Sequence, residues 1–439
     1  MTTTTDNGLL ADHTALAAAL PGAGADWLDA LRADGAKRFS GLGLPTRKDE
    51  AWKYTDLSAL ARSRFAPCCG AAPAAQKPEI PEPLVANGPQ AVFINGRFDA
   101  ELSTLGGAPA GVTALPLADA MAQVPQLMEG YLGRVAELGR KPLVALNTAW
   151  LADGFVLHLA KDINLTRPLE LVFWGDAGAG DDRSAWHPRH LIVLDPGARA
   201  TVVERHIGRP GGHFANSVTE IAVAAGAALR HYRLQDEPGD AVHIATTEVA
   251  LSAGAAYESF VLSTGSALAR NQIAVTLQGQ GASSNVNGAY MGRANQITDT
   301  TTLIDHAAPG CTSTQTYKGV LDDRSRGVFQ GRIVVRKDAQ KSDGHQSNKA
   351  ILLSDRAEID AKPELEIYAD DVKCSHGATA GELDDNALFY LRARGIPEHE
   401  ARGLLIDAFI DGAIAEITHE TVRDAFRAHA EAWRVEGAA

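Results

Sequence analysis

Gly197-Ala198-Arg199-Ala200-Thr201-Val202-Val203-Glu204 opens a pattern that returns down the chain. Gly226-Ala227, Gly254-Ala255, Gly281-Ala282 and Gly310-Cys311 follow at intervals of 29, 28, 27 and 29 residues. Each pair opens a strand-like or Thr/Ser-rich run, such as Leu229-Arg230-His231-Tyr232, and the period carried forward reaches Asp338-Ala339. A glycine recurring at one place marks a turn that needs φ > 0. One coil of about 28 residues cannot bury its apolar side alone, so coils stack and share a core. The period predicts a mainly β protein built as a right-handed parallel β-helix. Turn signals every ~8–12 residues also fit an antiparallel sandwich, but the near-constant period favours the solenoid.

Working outward, the β-helix core is expected over 155–383, beginning with the β-rich runs Phe155–Leu159, Leu169–Trp174, His190–Leu194 and Ala200–Glu204. A mixed α/β lead-in over 91–154 contains a strand and turn at Val92-Phe93-Ile94-Asn95-Gly96-Arg97 and a helical stretch near 117–152. Residues 1–90 read as an N-terminal helical region, helical over 9–40, followed by a Pro/Ala-rich linker over about 66–90. Residues 384–439 read as a C-terminal helical domain. Asp384 caps a short helix that Gly395 ends, Pro397 opens the next, and Thr418 is placed to cap a last helix to about Trp433. The middle helix carries Ala401, Leu404, Leu405, Ala408, Phe409, Gly412 and Ala415 on one stripe, with Ile406, Ile410, Ala413 and Ile414 elsewhere. That surplus fits either burial in a three-helix cap closing the solenoid end or a docking partner.

Composition excludes several classes. Among 439 residues the formal net charge is −13, and no basic run exceeds Arg47-Lys48 or Arg336-Lys337, which argues against nucleic acid. No apolar stretch approaches the ~18 residues of a membrane span, and Met1–Asp6 lacks the features of a signal peptide. A cytoplasmic protein is expected. Four cysteines, Cys68, Cys69, Cys311 and Cys374, are too few for a disulfide framework. The 42 glycines and 6% aromatics suit tight turns and stacked coils.

No phosphate-binding loop, dinucleotide fingerprint, His-Glu-x-x-His or nucleophile elbow is present. The most informative cluster is Asp370-Asp371-Val372-Lys373-Cys374-Ser375-His376-Gly377. In a strand, Cys374 and His376 share a face, and thiolate with imidazole suits iron or zinc. Two ligands make an incomplete site, to be finished by another chain or by sulfide; the bland alternative is a buried thiol beside a surface histidine. Ser342-Asp343-Gly344-His345-Gln346-Ser347-Asn348-Lys349 reads as a turn more readily than as a side-chain ladder. His187, His190, His206, His213, His231 and His243 are scattered and read as solvent-facing or hydrogen-bonded structural residues, and Asp322-Asp323 as a solvated turn.

Several segments together resemble the SufB/SufD family: Pro45-Thr46-Arg47-Lys48-Asp49-Glu50-Ala51-Trp52-Lys53-Tyr54-Thr55-Asp56, His345–Ala350, Glu358–Leu365, Val372–Thr379 and Phe389–Ile396. The likeness runs over essentially the whole chain and is closest to the SufD branch, because SufB-like chains carry His-Glu where this chain has His376-Gly377. The resemblance implies a non-catalytic scaffold for iron–sulfur cluster assembly, in complex with a SufB-like subunit and two SufC-like ATPases gripping residues 384–417. Cys374 and His376 would be this side's ligands to iron or a nascent cluster at the SufB interface. A reduced flavin accompanies such complexes, although no flavin contact maps onto a residue here, and nothing is expected to be tightly bound in the isolated chain. Homodimers are implied when the partner is missing. The rival readings are a β-helix polysaccharide lyase or hydrolase, disfavoured by the low aromatic content and the lack of a signal peptide, and a homo-oligomeric structural protein.

Overall fold

The computed structural model describes residues 8–10, 13–63, 65–67, 78–86, 88–176 and 183–437, so Cys68, Cys69 and much of the 66–90 linker lie outside the described residues. Helix over 9–40 is interrupted: α1 (His13–Leu16) and a 3-10 turn at Ala17–Ala19 precede α2 (Asp26–Leu42). Pro21-Gly22 lies between them, with Gly22 and Gly24 at φ +71° and +92°. Next come α3 (Ser58–Arg62), β1 (Phe65–Pro67) and the hairpin β2 (Gln90–Ile94) and β3 (Arg97–Asp99). That hairpin turns on Asn95-Gly96, both at positive φ, as a two-residue turn between right-twisted strands requires. β4 (Val112–Pro116), α4 (Leu117–Gln123), α5 (Pro125–Tyr131) and α6 (Pro142–Ala149) complete the lead-in.

The solenoid starts with β5 (Gly154–Leu159), β6 (Leu169–Gly175), β7 (Arg183–Trp186) and β8 (Arg189–Leu194). Its regular part is β9 (Arg199–Gly208), β10 (Phe214–Val223), β11 (Ala228–Gln235), β12 (Val242–Leu251), β13 (Ala256–Ser263) and β14 (Leu268–Leu277). It continues through β15 (Ser283–Gly292), β16 (Ile297–His306), β17 (Thr312–Leu321) and β18 (Arg326–Val335). β19 (Asp343–Leu352), β20 (Glu358–Ile367) and β21 (Lys373–Gly381) end it. From β8 onward successive strands alternate between two sheets, so each pairs in parallel with the one two positions later, while β5 pairs with β8 and β6 with β9. The expected parallel β-helix is what forms.

The glycine period marks one corner of the coil. Gly197, Gly226, Gly254, Gly281 and Gly310 have φ between +62° and +76°, and the next residues, Ala198, Ala227, Ala255, Ala282 and Cys311, are all fully buried. The glycine turns the backbone and the small residue fills the inside of the bend. Coil length varies: Val242 pairs with Leu268 and Arg326 with Glu358, a step of 26 and then 32 residues. In the longer last coils the corner after β18 keeps buried Ala339, but Lys341 takes the positive φ, +61°. In the later coils the opposite corner turns on Ser266, Ala294 and Asp323, at φ +69°, +54° and +52°. The Ser342–Lys349 segment, expected as a turn, begins just ahead of β19 and is strand from Asp343 onward.

Both outer faces are covered part-way. Against the even-numbered strands, Phe39, Trp52, Leu57, Leu60 and Phe65 pack on Phe214, Val218, Ile244 and Leu268. The charged 45–56 segment is pinned there: the Arg270 guanidinium lies 3.9 Å from the Trp52 ring centre, donates to the Ala51 carbonyl at 2.7 Å and pairs with Asp299. Against the odd-numbered strands lie α8 (Glu398–Ile414) and α9 (Glu420–Gly437), reached through α7 (Asp385–Arg392). The Asp384 carboxylate caps α7 by accepting from the Asn386 N–H at 2.9 Å.

These helices do not close the end of the solenoid. They lie on its flank, where Ile406, Ile410, Ala413, Ile414, Val422 and Phe426 meet Tyr232, Leu234, Phe260, Leu262, Met291 and Val320. Each fully buried large apolar side chain there contributes roughly 1.5–3 kcal/mol. The expected stripe is outward at Leu404, Ala408, Gly412 and Ala415 but half-buried at Leu405 and Phe409 and buried at Ala401, and the residues assigned elsewhere on the circumference form the buried face. Thr418 does not cap α9: its hydroxyl donates to Glu258 at 2.7 Å, holding the α8–α9 turn to β13.

Candidate functional site

Because the helices flank the coil, its last turn is uncovered. β20 and β21 each have a strand on one side only, β18 and β19 respectively. Most residues of β21 are exposed, and Ile367 at the end of β20 and Tyr368 just beyond it present 41% and 64% of their surface. An uncapped pair of parallel edges offers unpaired backbone N–H and C=O groups, a ready surface for another chain.

Cys374 and His376 lie on that edge. Register places Cys374 beside Gly344 and His376 beside Gln346, on the face directed between the two sheets. Cys374 is half-buried and packs against the interior core, while His376 is exposed. Burial pushes the Cys374 thiol upward, and the nearby Asp343 carboxylate adds to the effect. The protonated thiol is therefore favoured until a cation arrives. Among the described residues, no third His, Cys, Asp or Glu side chain groups with this pair.

Beneath the pair the interior is polar. Ser284, Ser313, Gly344 and Cys374 form one column, and Gln315, Gln346 and His376 the next. The Gln346 amide nitrogen and oxygen are both buried without a hydrogen-bond partner among the described residues. On the outer side, His345 Nδ1 lies 2.6 Å from the Ser375 hydroxyl and its Nε2 2.7 Å from Asp343. The polar density of this segment is thus a ladder. Cys311 is a corner filler: its thiol donates to the Gly279 carbonyl at 3.3 Å, and burial raises its pKa.

The scattered histidines, expected to be solvent-facing or hydrogen-bonded structural residues, fall mostly on the second side, buried inside the solenoid. His190, His206, His213, His231 and His243 are all buried, His231 the most accessible at 4%. They surround two carboxylates. Glu204 meets His206 Nε2 at 3.0 Å, His231 Nε2 at 2.6 Å and Arg233 Nε at 2.8 Å. Glu237 meets His213 Nε2 at 3.2 Å and His243 Nδ1 at 2.9 Å. Burial opposes the charge on both carboxylates, but Arg233 and the surrounding imidazoles at Glu204, and the imidazoles of His243 and His213 at Glu237, overcome it and hold both well below the usual range. Burial also pulls His190 to about 3 and His206 to about 4, favouring the neutral imidazole. Parity along β9 and β11 carried the only sequence signal: Glu204 and His206 alternate with Val203 and Arg205. Nothing local joins Glu237 or His243 to them.

No helix among the described residues is long and apolar enough to cross a membrane. The chain matches the family model for the SUF system FeS cluster assembly SufBD core domain over residues 176–409. It matches that for the SufBD protein N-terminal region over 12–171. It is 33% identical over 411 residues to the iron–sulfur cluster assembly protein SufD of Escherichia coli, spanning 91% of this chain and 92% of that protein. An iron–sulfur cluster assembly SufBD family protein of Synechocystis is 32% identical over 398 residues, 88% of this chain and 86% of its own. The SufD protein of Bacillus subtilis is 25% identical over 319 residues, 71% of this chain and 72% of its own.

Proposed function

Because the chain belongs to the SufB/SufD family of iron–sulfur cluster assembly proteins, we propose that it is a non-catalytic, SufD-like scaffold working in the cytoplasm. Its open coil end would supply Cys374 and His376 to iron or a nascent cluster shared with a SufB-like partner. The observation that carries this reading is the half-site on an unpaired edge: two soft-metal donors on one face, no third donor grouped with them among the described residues, and the backbone of β20 and β21 free to pair.

Metal is cargo in this scheme. A thiol kept protonated by burial releases its proton when a cation docks, so loading is coupled to proton loss. Gly377, with open space where a Cβ would stand, adds no third donor, which leaves the remaining ligands to the partner. The second contact surface we assign is the outer side of α7 and α8. Phe389, Tyr390 and Leu404 are 73%, 56% and 46% exposed there, an apolar face suited to a SufC-like ATPase. ATP-driven movement at that flank would reach the open end through the shared strands β15 and β17.

The test is co-expression with SufB-like and SufC-like subunits, followed by anaerobic reconstitution. A stable complex is expected, and His376→Ala is expected to lower its iron loading while the complex still assembles. Failure to form any complex, or iron loading unchanged in His376→Ala, overturns the reading.

A further inference from the structure

His206 at the end of β9, Glu237 in the turn after β11 and His243 at the start of β12 come from three separate segments. Their donor atoms nevertheless all lie within 4.8 Å of one another, with side chains 1%, 4% and 0% exposed. We propose that these three residues bind a divalent first-row transition-metal ion, of the Zn(II) or Fe(II) class, inside the solenoid as a resident structural site separate from the open end.

Two imidazoles and one carboxylate form a donor set typical of zinc and non-haem iron(II) sites. Tetrahedral coordination at about 2.1 Å needs donors about 3.4 Å apart. His243 Nδ1 and Glu237 Oε2 are already 2.9 Å apart, so the closing movement falls mainly on His206. The His206 and His243 rings stand edge to face with centres 4.7 Å apart.

A second observation points the same way. His243 Nδ1 is close to Glu237 but not aligned for a hydrogen bond, and neither ring nitrogen has a hydrogen-bond partner among the described residues. A buried polar atom left so is costly, and a cation at the triad satisfies one of the two ring nitrogens. Surrounding groups are arranged as an orienting shell. Glu204 engages His206, His213 engages the second oxygen of Glu237, and Gln235 Nε2 donates to Glu237 Oε2 at 3.1 Å. Carboxylate–histidine contacts of this kind fix the ring and raise its basicity as a ligand. Arg233, the cation that would oppose a metal, is held on Glu204. Entry is available at one point, since Glu237 also lines a surface groove with Gly208, Pro210 and Ala267.

The test equilibrates the purified full-length chain with cobalt(II), then measures bound cobalt and its visible ligand-field absorption after gel filtration. One equivalent with tetrahedral-type bands is expected. The double variant Cys374→Ser/His376→Ala is expected to keep it, so failure of the open-end reading leaves this result untouched. Glu237→Gln and His243→Gln, near in size to the residues they replace, are expected to lose it. His213→Ala should weaken binding by about 10- to 100-fold. If a triad variant does not fold by circular dichroism, the measurement passes to the double variant, whose Tm should rise with added zinc(II) as in the wild type. A folded wild type that takes up no cobalt overturns the proposal. So do full binding in a folded triad variant, loss of cobalt in the open-end double variant, and a Tm unmoved by zinc(II).

Discussion

The same two-sheet interior treats histidine in opposite ways in its middle coils and at its open end. Around β9–β12, five buried histidines surround two carboxylates and an arginine, and those carboxylates lie 2.6–3.2 Å from imidazole nitrogens and Arg233. At β21, His376 stands exposed beside a half-buried cysteine, with no third donor grouped with them. The difference follows from position in a stack. A middle coil is sealed by neighbours above and below, so a charge there persists only if its own chain pairs it. A terminal coil has one neighbour, and its polar groups can wait for another molecule.

The strongest way to break that contrast is Glu204→Ala. The change strips His206, His231 and Arg233 of a shared partner and leaves Arg233 buried with only the Asn271 and Thr247 side-chain oxygens, each at 3.4 Å. Removing one member of a buried pair costs ~3–5 kcal/mol, to be read as a lower urea midpoint. His376→Ala, at an exposed site, should stay within ~0.5 kcal/mol of wild type. A loss below ~1 kcal/mol in Glu204→Ala would show that the interior is solvated and that the two regions do not differ in kind.

Much of the architecture was legible because a turn glycine and a corner alanine repeat together, and the capped α7 was equally plain. Cys374 and His376 could be placed on one face from strand parity alone. The buried triad could not, because its members lie on two sheets and only the stacking register brings them together. The flank position of α8 and α9 has only a weak signal in the sequence. β13 is apolar on both faces, with Tyr257 and Val261 inward and Phe260 and Leu262 outward, the mark of a strand covered on both sides. The second corner of the later coils was silent, since Ser266, Ala294 and Asp323 adopt positive φ in residues that do not announce it.

His306, between the two regions, tests how far the sealed interior extends. It is fully buried, 2.8 Å from the Ser313 hydroxyl, and burial pulls it to about 4 against the carboxylates of Asp305 and Asp343. The unfolded chain takes up this proton near pH ~6.5. The folded pKa is depressed, so the stability is present above pH ~6.5 and is lost as pH falls toward ~4, by about 3 kcal/mol at most. His306→Gln should flatten the stability–pH curve in that window, measured by denaturant titration at several pH values. An unchanged slope would mean that water reaches this histidine in the folded chain.

The smallest effects come from a pair of glycines, and they make the contrast finest. A Cβ on Gly288, in β15, would stand 2.6 Å from a Tyr317 ring carbon and 2.8 Å from the Val261 carbonyl oxygen. Tyr317 is itself buried and the carbonyl belongs to the neighbouring strand, so neither can yield cheaply. Gly288→Ala should cost ~1–3 kcal/mol. A Cβ on Gly377, in β21, meets nothing within 4 Å, so Gly377→Ala should change the stability of the isolated chain by less than ~0.5 kcal/mol. Equal losses would mean that the last coil is as tightly packed as the middle ones. If Gly377→Ala instead leaves stability alone and weakens only the association with a SufB-like partner, the open space at Gly377 is space that the partner fills.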